Sequence, residues 1–458
     1  MIVGVGWSAS SCLGSDDPQP RKLTDSEAGR LAKVPVNNAA SDPVAMSVTF
    51  DGANGGATGH VDWKHQLASV AITPEGTSQP EQLVQAVPGL TATHTADADS
   101  DPAAPPATGW TVRASSSGQE SSDHNDDHQV LDITLSAVLS LVHDDAGDKS
   151  ILKEKASWMK EANIDGAAVD VFQAPLDLGT AEKGQEGGEA IFWVDRNANL
   201  RRLQLDPANT GLTSIDFLLK KPSVDKLEPV GVLGGGTNDP RDLNEAEVNA
   251  LSTLRQRNAD AAAEVDMELP LGDDELIRAR GYIDWRVPLV YLSLDAPGED
   301  NDGLLLALPG GAATRQMSVD GSLPPVEAPD DDWSHQNWSQ RTESDSESTS
   351  TLDAMLMKLL MLRSPEADDY QSIQDNGAWL RQDSLGDTKT NVVEFPFEHE
   401  TEDHERGKAP YRYWIGEQDD LLRVEMNTQG FGLAHADLTK HEAPTLSLPQ
   451  NVTATLLQ

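Results

Sequence analysis

Two pairs of histidines have a spacing that could hold a metal ion. His124 and His128 lie four residues apart with carboxylates between them, in a Ser- and Asp-rich segment that predicts a loop. His399 and His404 lie five residues apart, whereas the zinc-protease pattern needs two histidines four residues apart on a helix. Short patterns of this kind are far more often solvated loops than sites, so we predict no metal ligands.

No arrangement of residues typical of catalysis is recognisable. The Gly234–Gly236 run lacks the Gly-Lys-Ser/Thr ending of a phosphate-binding loop, and there is no Gly-x-Ser-x-Gly nucleophile motif. The single cysteine, Cys12, lies in a tail, and pairs of carboxylates are too frequent in this chain to indicate a site. We therefore predict a protein without catalytic activity or cofactor, and a hydrolase is the class that the sequence disfavours.

The charge balance limits the partners. The 458 residues include 76 Asp and Glu against 34 Lys and Arg, for a formal net charge of −42. Such a surface repels phosphate backbones and anionic membranes, which excludes nucleic acids as partners. A high-salt habitat, secretion or a basic protein partner would each account for the acidity, and a heavily solvated surface is the simplest explanation.

The sequence of residues 1–22 indicates the remnant of an export signal followed by a flexible tail. A short apolar stretch is followed by small residues, then by Cys12 and a polar segment. This order resembles a bacterial lipoprotein signal, in which the cysteine becomes the lipid-bearing first residue. Cys12 is therefore the predicted lipid anchor of a protein outside the cytoplasm, and the alternative is a disordered tail with an incidental cysteine. No apolar run of about 18 residues predicts a spanning helix.

Most of the tryptophans belong to an internal repeat. The flanking residues agree with it, since Gly-x-x-Asp-Trp occurs at Gly59–Trp63 and again at Gly281–Trp285. Four tryptophans recur at a nearly constant separation of about 221 to 228 residues: Trp63, Trp110, Trp158 and Trp193 correspond to Trp285, Trp338, Trp379 and Trp414. The chain is therefore predicted to contain one domain twice.

Each copy begins with a helix that carries a capping box. Thr24 and Glu27 occupy the N-cap and N3 positions in the first copy, and Asn244 and Glu247 occupy them in the second. The predicted domains are residues 23–222 and 243–458, joined by a Gly-rich flexible linker at 223–242.

Strands and two further helices follow the first helix in each copy. Leu131, Leu135 and Val138 recur at helical spacing and predict the second helix. A third helix is predicted near 152–160, with a counterpart near 373–381, and these carry Trp158 and Trp379. The order of helix, strands, two helices and strands predicts an α+β fold with an antiparallel sheet.

The series of motifs resembles a family of actinobacterial extracytoplasmic proteins, the half-barrel lipoproteins of the LolA and LprG/LppX type. The resemblance rests on a Leu-x-x-x-Glu helix, Gly-x-x-Asp-Trp, Trp-x-x-Arg, a Leu-rich helix and a closing Tyr-Trp-Ile strand, once per copy. It implies two tandem LolA-like domains, each a curved antiparallel sheet wrapped around helices, with an apolar cavity that holds acyl chains in well-known members. Other proteins with this fold act as sensors or scaffolds.

The second helix differs most between the copies. In the second copy its stretch from Met355 to Leu362 is apolar almost all round, with Lys358 as the polar residue. A helix that packs on a sheet needs only one apolar stripe, and flexible methionines suit a surface that accepts varied apolar partners. The alternative is a helix buried between the domains or beneath a loop. The candidate ligand-binding residues are Leu352, Met355, Leu356, Met357, Leu359 and Met361.

These observations predict a non-catalytic binding protein for a lipid or another hydrophobic ligand, held at the membrane only by its lipid anchor or secreted. The alternative is a protein-interaction scaffold or an envelope sensor without a small-molecule ligand, whose acidic loops contact a basic protein.

Overall fold

A computed structural model describes most of the chain and contains two antiparallel sheets of twelve strands each. The residues described are 19–50, 55–115, 126–143, 145–176, 178, 188–206, 212–219, 224, 226–272, 275–297, 302–319, 321–338, 347–395, 406–407, 409–428, 431–440, 444 and 446–456. Few helices accompany the sheets, which agrees with the predicted antiparallel α+β class.

The first sheet has the strand order β1-β8-β9-β10-β11-β12-β2-β3-β4-β5-β6-β7. Its strands are β1 (Arg21–Lys22), β2 (Val44–Phe50), β3 (Gly55–Asp62), β4 (Leu67–Pro74), β5 (Gln82–Val87), β6 (Leu90–Thr95), β7 (Thr111–Ala114), β8 (Ser157–Ile164), β9 (Ala167–Pro175), β10 (Glu189–Asp195), β11 (Leu200–Leu205) and β12 (Thr213–Leu218). The helices in this part are α1 (Asp25–Leu31), α2 (Val34–Ala39), α3 (Asp126–Leu139) and α4 (Lys149–Lys155).

The second sheet repeats this order as β13-β20-β21-β22-β23-β24-β14-β15-β16-β17-β18-β19. Its strands are β13 (Arg241–Asp242), β14 (Ala262–Gly272), β15 (Glu275–Asp284), β16 (Leu289–Asp295), β17 (Gly303–Leu308), β18 (Gly311–Gln316), β19 (Ser334–Asn337), β20 (Ala378–Leu385), β21 (Thr388–Glu394), β22 (Tyr411–Gly416), β23 (Leu421–Asn427) and β24 (Leu433–Lys440). The helices are α5 (Glu245–Ser252), α6 (Leu254–Asn258), α7 (Glu347–Met361), α8 (Tyr370–Asn376) and α9 (Gln450–Leu456). None of the described helices is long and apolar enough to span a membrane.

Both predicted capping boxes are confirmed. The Thr24 side chain accepts from the Glu27 amide, and the Glu27 carboxylate accepts from the Thr24 amide at 2.8 Å. Asn244 and Glu247 make the same pair of bonds at the start of α5. In each copy an arginine of the preceding edge strand also binds the Glu carboxylate with two nitrogens, which fixes the strand to the helix start.

The prediction that Trp158 and Trp379 lie on helices is wrong. Helix α4 ends at Lys155 and α8 at Asn376, and both tryptophans lie in the strands that follow, β8 and β20. The C-cap residues after these helices already have extended backbone angles. The two indole N–H groups bond across the sheet, Trp158 to Asp170 at 2.8 Å and Trp379 to Asn391 at 3.0 Å.

The chain divides into two compact units, Met1–Gln66 with Asp123–Asp225, and Leu67–Ser122 with Lys226–Gln458. The second unit therefore contains strands β4 to β7 as well as the second sheet. This division cuts the first copy at Gln66, so the boundaries at 23–222 and 243–458, read from the repeat, stay predictions.

Part of the predicted flexible linker is packed instead, which corrects the expectation for residues 228–236. We call this segment the strap. Val230 and Val232 are buried with Leu83 and Trp110 in one apolar cluster of the second unit. The Gln85 side chain accepts from the Val230 amide at 2.8 Å and donates to the Glu228 carbonyl at 3.2 Å. The prediction gave weight to the glycines, whereas the valines determine the packing.

Candidate functional site

Helix α7 packs against one face of the second sheet, which we call the inner face. Leu352, Met355, Leu356 and Leu359 are buried in a cluster with inner-face residues of β14 to β18 and β21 to β24. The alternation along β14, with Val265, Met267 and Leu269 in this cluster, follows from the two-residue period of a strand.

The six predicted ligand-binding residues are not all brought together. Four of them are buried in the cluster, but Met357 is half-buried and Met361 is 47% exposed. Helix α7 is thus apolar almost all round in sequence but not buried all round. The four buried side chains lie against the protein's own sheet, and their binding of a ligand stays a prediction.

The polar residue of this apolar stretch is itself buried. Lys358 is 3% exposed, and its Nζ lies 4.1 Å from the ring centroid of Tyr411 and 5.8 Å from that of Tyr413. A cation over aromatic faces is stabilised by the ring quadrupoles. The sequence pattern gave no indication that this ammonium group would lie inside the domain.

The predicted lipid anchor Cys12 lies outside the described residues. The same holds for His124, His399 and His404, which the sequence analysis rejected as metal ligands. His128, predicted in a loop, lies within the span of α3. Within the described ranges no group of three or more His, Cys, Asp or Glu has the arrangement of a metal site.

The opposite, outer face of the second sheet carries charged residues that the sequence analysis did not single out. Glu268 of β14, His435 of β24 and Glu425 of β23 are directly opposite one another on adjacent strands, and we call these three residues the outer row. Glu425 and His435 are 2% and 7% exposed. Buried ionisable groups in contact are typical of sites where protonation matters.

Burial shifts the pKa of each residue of the outer row in the direction that favours its neutral form. It raises the pKa of Glu425, against the opposing effect of Arg423, Arg412 and Arg381. It also raises the pKa of Glu268, which a hydrogen bond from Gly109 partly offsets. Burial, helped by Arg423, lowers the pKa of His435 to about 4.

An arginine next to the outer row has its own carboxylate partner. Arg423 binds Asp437 with two nitrogens, Nε to Oδ1 and Nη2 to Oδ2, the latter at 2.8 Å. Its Nη1 also lies 3.8 Å from Oε1 of Glu425. The first sheet has the same bidentate pair at Arg202 and Asp216. The pair is therefore common to both sheets, and the outer row is not.

The comparisons with known proteins find structures but no sequence relatives. No family model matches the chain, and no curated protein matches it. LprF from Mycobacterium bovis is similar at 14% identity over 46% of this chain and 98% of its own, with a TM-score of 0.24. Lipoprotein LppX from Mycobacterium tuberculosis is similar at 11% identity over 44% of this chain and 100% of its own, with a TM-score of 0.26.

A third similar structure is a DUF1329 family protein from Desulfovibrio piger, at 12% identity over 44% of this chain and 95% of its own, with a TM-score of 0.22. At such scores the similarities carry no argument about activity.

Proposed function

We propose that this protein binds a lipid or another hydrophobic molecule without transforming it, using the second sheet and α7. The observation that carries the proposal is the number of methionines in the apolar cluster between α7 and the inner face, which we call the inner cluster. Met267, Met355 and Met426 are all buried there. The corresponding positions of the first copy hold Val48, Thr134 and Leu205.

Methionine is unbranched and adapts its shape to its neighbours, so a cluster rich in methionine can rearrange around an apolar guest at low cost. A binding site for an acyl chain needs such a surface, and it needs few polar groups. The proposal assigns this property to the second copy, and it includes two tandem LolA-like half-barrel domains as its architecture.

The test is native mass spectrometry of the full chain with a long-chain fatty alcohol, before and after extraction with organic solvent. We expect a bound alcohol that Met355→Phe displaces, because the larger ring fills the space of the guest. Met361→Phe is the matched control, since Met361 lies on the exposed side of the same helix. Clean apo protein at saturating alcohol would refute the proposal.

The second candidate function is a protein-interaction scaffold or envelope sensor. It is favoured by the burial of Leu352, Leu356 and Leu359 against the protein's own sheet. In this case the interior is filled by side chains and the acidic surface contacts a basic protein. Met355→Phe and Met361→Phe would then leave all ligand measurements at background.

Location outside the cytoplasm and anchoring through Cys12 are the remaining part of the proposal. The support is the order of apolar, small and polar residues around this cysteine. We expect that cells fed labelled palmitate incorporate the label into the full-length protein, and that Cys12→Ser abolishes it while Ser8→Ala does not. Label in the Cys12→Ser variant would contradict the anchor.

A further inference from the structure

The outer row is covered by two segments of the same compact unit. Residues 109–110 lead into β7, and we call them the Gly109 segment. The Gly109 amide donates to Oε2 of Glu268 at 3.4 Å. The strap lies nearby, since a Cβ on Gly432, just before β24, would be 2.5 Å from the Val232 carbonyl oxygen and 3.4 Å from the Val112 side chain. Gly432 thus permits this approach.

The strap also contacts the arginines beside the outer row. A Cβ on Gly235 would be 2.8 Å from Nη2 of Arg381, and one on Gly231 would be 3.9 Å from Nη1 of Arg423. Arg412 donates to the Gly234 carbonyl at 3.4 Å. The strap and the Gly109 segment therefore cover the outer row, of which Glu425 and His435 are buried and Glu268 is partly exposed.

The first copy carries no ionisable groups at the three positions of the outer row. The positions corresponding to Glu425, His435 and Glu268 hold Gln204, Ser214 and Thr49. Gln204 and Ser214 simply bond to each other at 2.7 Å, and Thr49 is exposed. The second copy thus carries three titratable groups where a neutral set serves the same sheet. Packing alone does not require them.

We propose that the outer row is a protonation-controlled lock that holds the strap and the Gly109 segment on the second sheet only within a window of pH. The lock is closed when His435 is neutral and the two carboxyl groups are protonated or hydrogen-bonded. It opens on the acid side when His435 gains a proton, and on the alkaline side when the carboxyl groups lose theirs.

We call the opening at low pH the acid limb and the opening at high pH the alkaline limb. The charged groups that face His435 determine the acid limb. Arg423 of β23 repels an imidazolium, while Asp437 of its own strand attracts it. Glu425 and Glu268 lie opposite on the two neighbouring strands. From the covering side the Gly109 amide donates to Glu268, and a Cβ on Gly231 would lie 3.9 Å from Nη1 of Arg423. A buried imidazolium beside Arg423 therefore gains most by becoming hydrated, and this requires opening.

The signs of the two limbs follow from linkage. The pKa of His435 in the closed state, about 4, is below its ordinary 6.5, so protonation favours the open state as pH falls from 6.5 toward 4. The pKa of Glu425 and of Glu268 is raised in the closed state, so their ionisation favours the open state as pH rises above 4.5.

Hydrogen exchange measured by mass spectrometry on the full chain between pH 4 and 8 tests the lock. After correction for the intrinsic exchange rate, peptides of the strap should be most protected at an intermediate pH. Protection should fall on both sides of the pH at which the opposing effects of His435 and of the two carboxyl groups balance.

Each limb has its own variant, taken from the first copy so that the sheet keeps a side chain it tolerates. His435→Ser should remove the acid limb alone, and Glu425→Gln should weaken the alkaline limb alone, since Glu268 also contributes to it. Peptides of β15 and β16 serve as the control for folding and should not change. Protection of the strap peptides that does not change with pH in the unmodified protein would overturn the lock. The same holds if both variants keep the pH dependence of the unmodified protein.

Discussion

Trp285 donates its indole N–H to the main-chain carbonyl oxygen of Leu359 at 2.8 Å, and so fixes the end of α7 to the turn after β15. Trp63 makes the same bond, also at 2.8 Å, to Val138 near the end of α3. Both tryptophans are 2% exposed. The repeated Gly-x-x-Asp-Trp motif is thus explained by a helix attachment in each copy.

We expect Trp285→Phe to reduce the free energy of unfolding by about 1–3 kcal/mol, because it removes a buried hydrogen bond to Leu359 and part of a buried ring. Urea unfolding followed by circular dichroism measures this. Trp333→Phe is the matched control: Trp333 donates to the Pro329 carbonyl at 2.7 Å but is only partly buried, so its loss should cost less. An equal loss in the free energy of unfolding for the two variants would contradict a particular role of the Trp285 bond in attaching the helix.

Glu27 should contribute a stability that disappears in acid. Its carboxylate accepts from Arg21 and from the Thr24 amide, and the Arg21 hydrogen bond is the main reason that its pKa is lowered to about 2. Because the pKa in the folded state is below the ordinary 4.5, the contribution is complete above pH 4.5 and is lost as pH falls toward 2.

Glu27→Gln should therefore destabilise the protein by about 1 kcal/mol at pH 6, a figure reduced for the solvent exposure of Arg21. The difference from the unmodified protein should shrink between pH 4 and pH 2.5 in urea unfolding. The exposed Glu154→Gln is the control for the loss of one surface carboxylate. A difference that is constant over this range would contradict the assignment.

The features that could be predicted from sequence are those determined by near neighbours in the chain. The capping boxes need only residues three apart, so Thr24 with Glu27 and Asn244 with Glu247 were recognisable. The ends of the helices before Trp158 and Trp379 could not be recognised in the same way. Local propensity does not show that these two indoles bond across the sheet to Asp170 and Asn391.

The outer row could not be predicted because its burial depends on remote segments. Glu425 and His435 alternate with apolar Val424 and Ala436, and such a pattern predicts a sheet with one solvated face. The strap that covers this face is close in space but about 200 residues away in sequence. The sequence offered one signal. The positions that hold Gln204 and Ser214 in the first copy hold the ionisable Glu425 and His435 in the second.

Salt should stabilise this protein. A formal charge of −42 repels itself in the compact state, and the screening length falls from about 10 Å at 0.1 M salt to about 3 Å at 1 M. We expect the free energy of unfolding to rise by at least about 1 kcal/mol between 0.1 M and 1 M potassium chloride, and by a similar amount with sodium chloride. Urea midpoints that stay constant or fall with either salt would contradict this explanation.

The burial of α7 predicts a sharp contrast between two positions five residues apart. Leu356 is fully buried in the inner cluster, so Leu356→Ala should cost about 2–5 kcal/mol through lost transfer free energy and the cavity left behind. Met361 is 47% exposed, so Met361→Ala should change the stability by no more than about 0.5 kcal/mol. Urea unfolding of the two variants at equal protein concentration measures both. Similar small costs at the two positions would mean that α7 does not pack on the sheet, and the proposed binding surface would be lost with it.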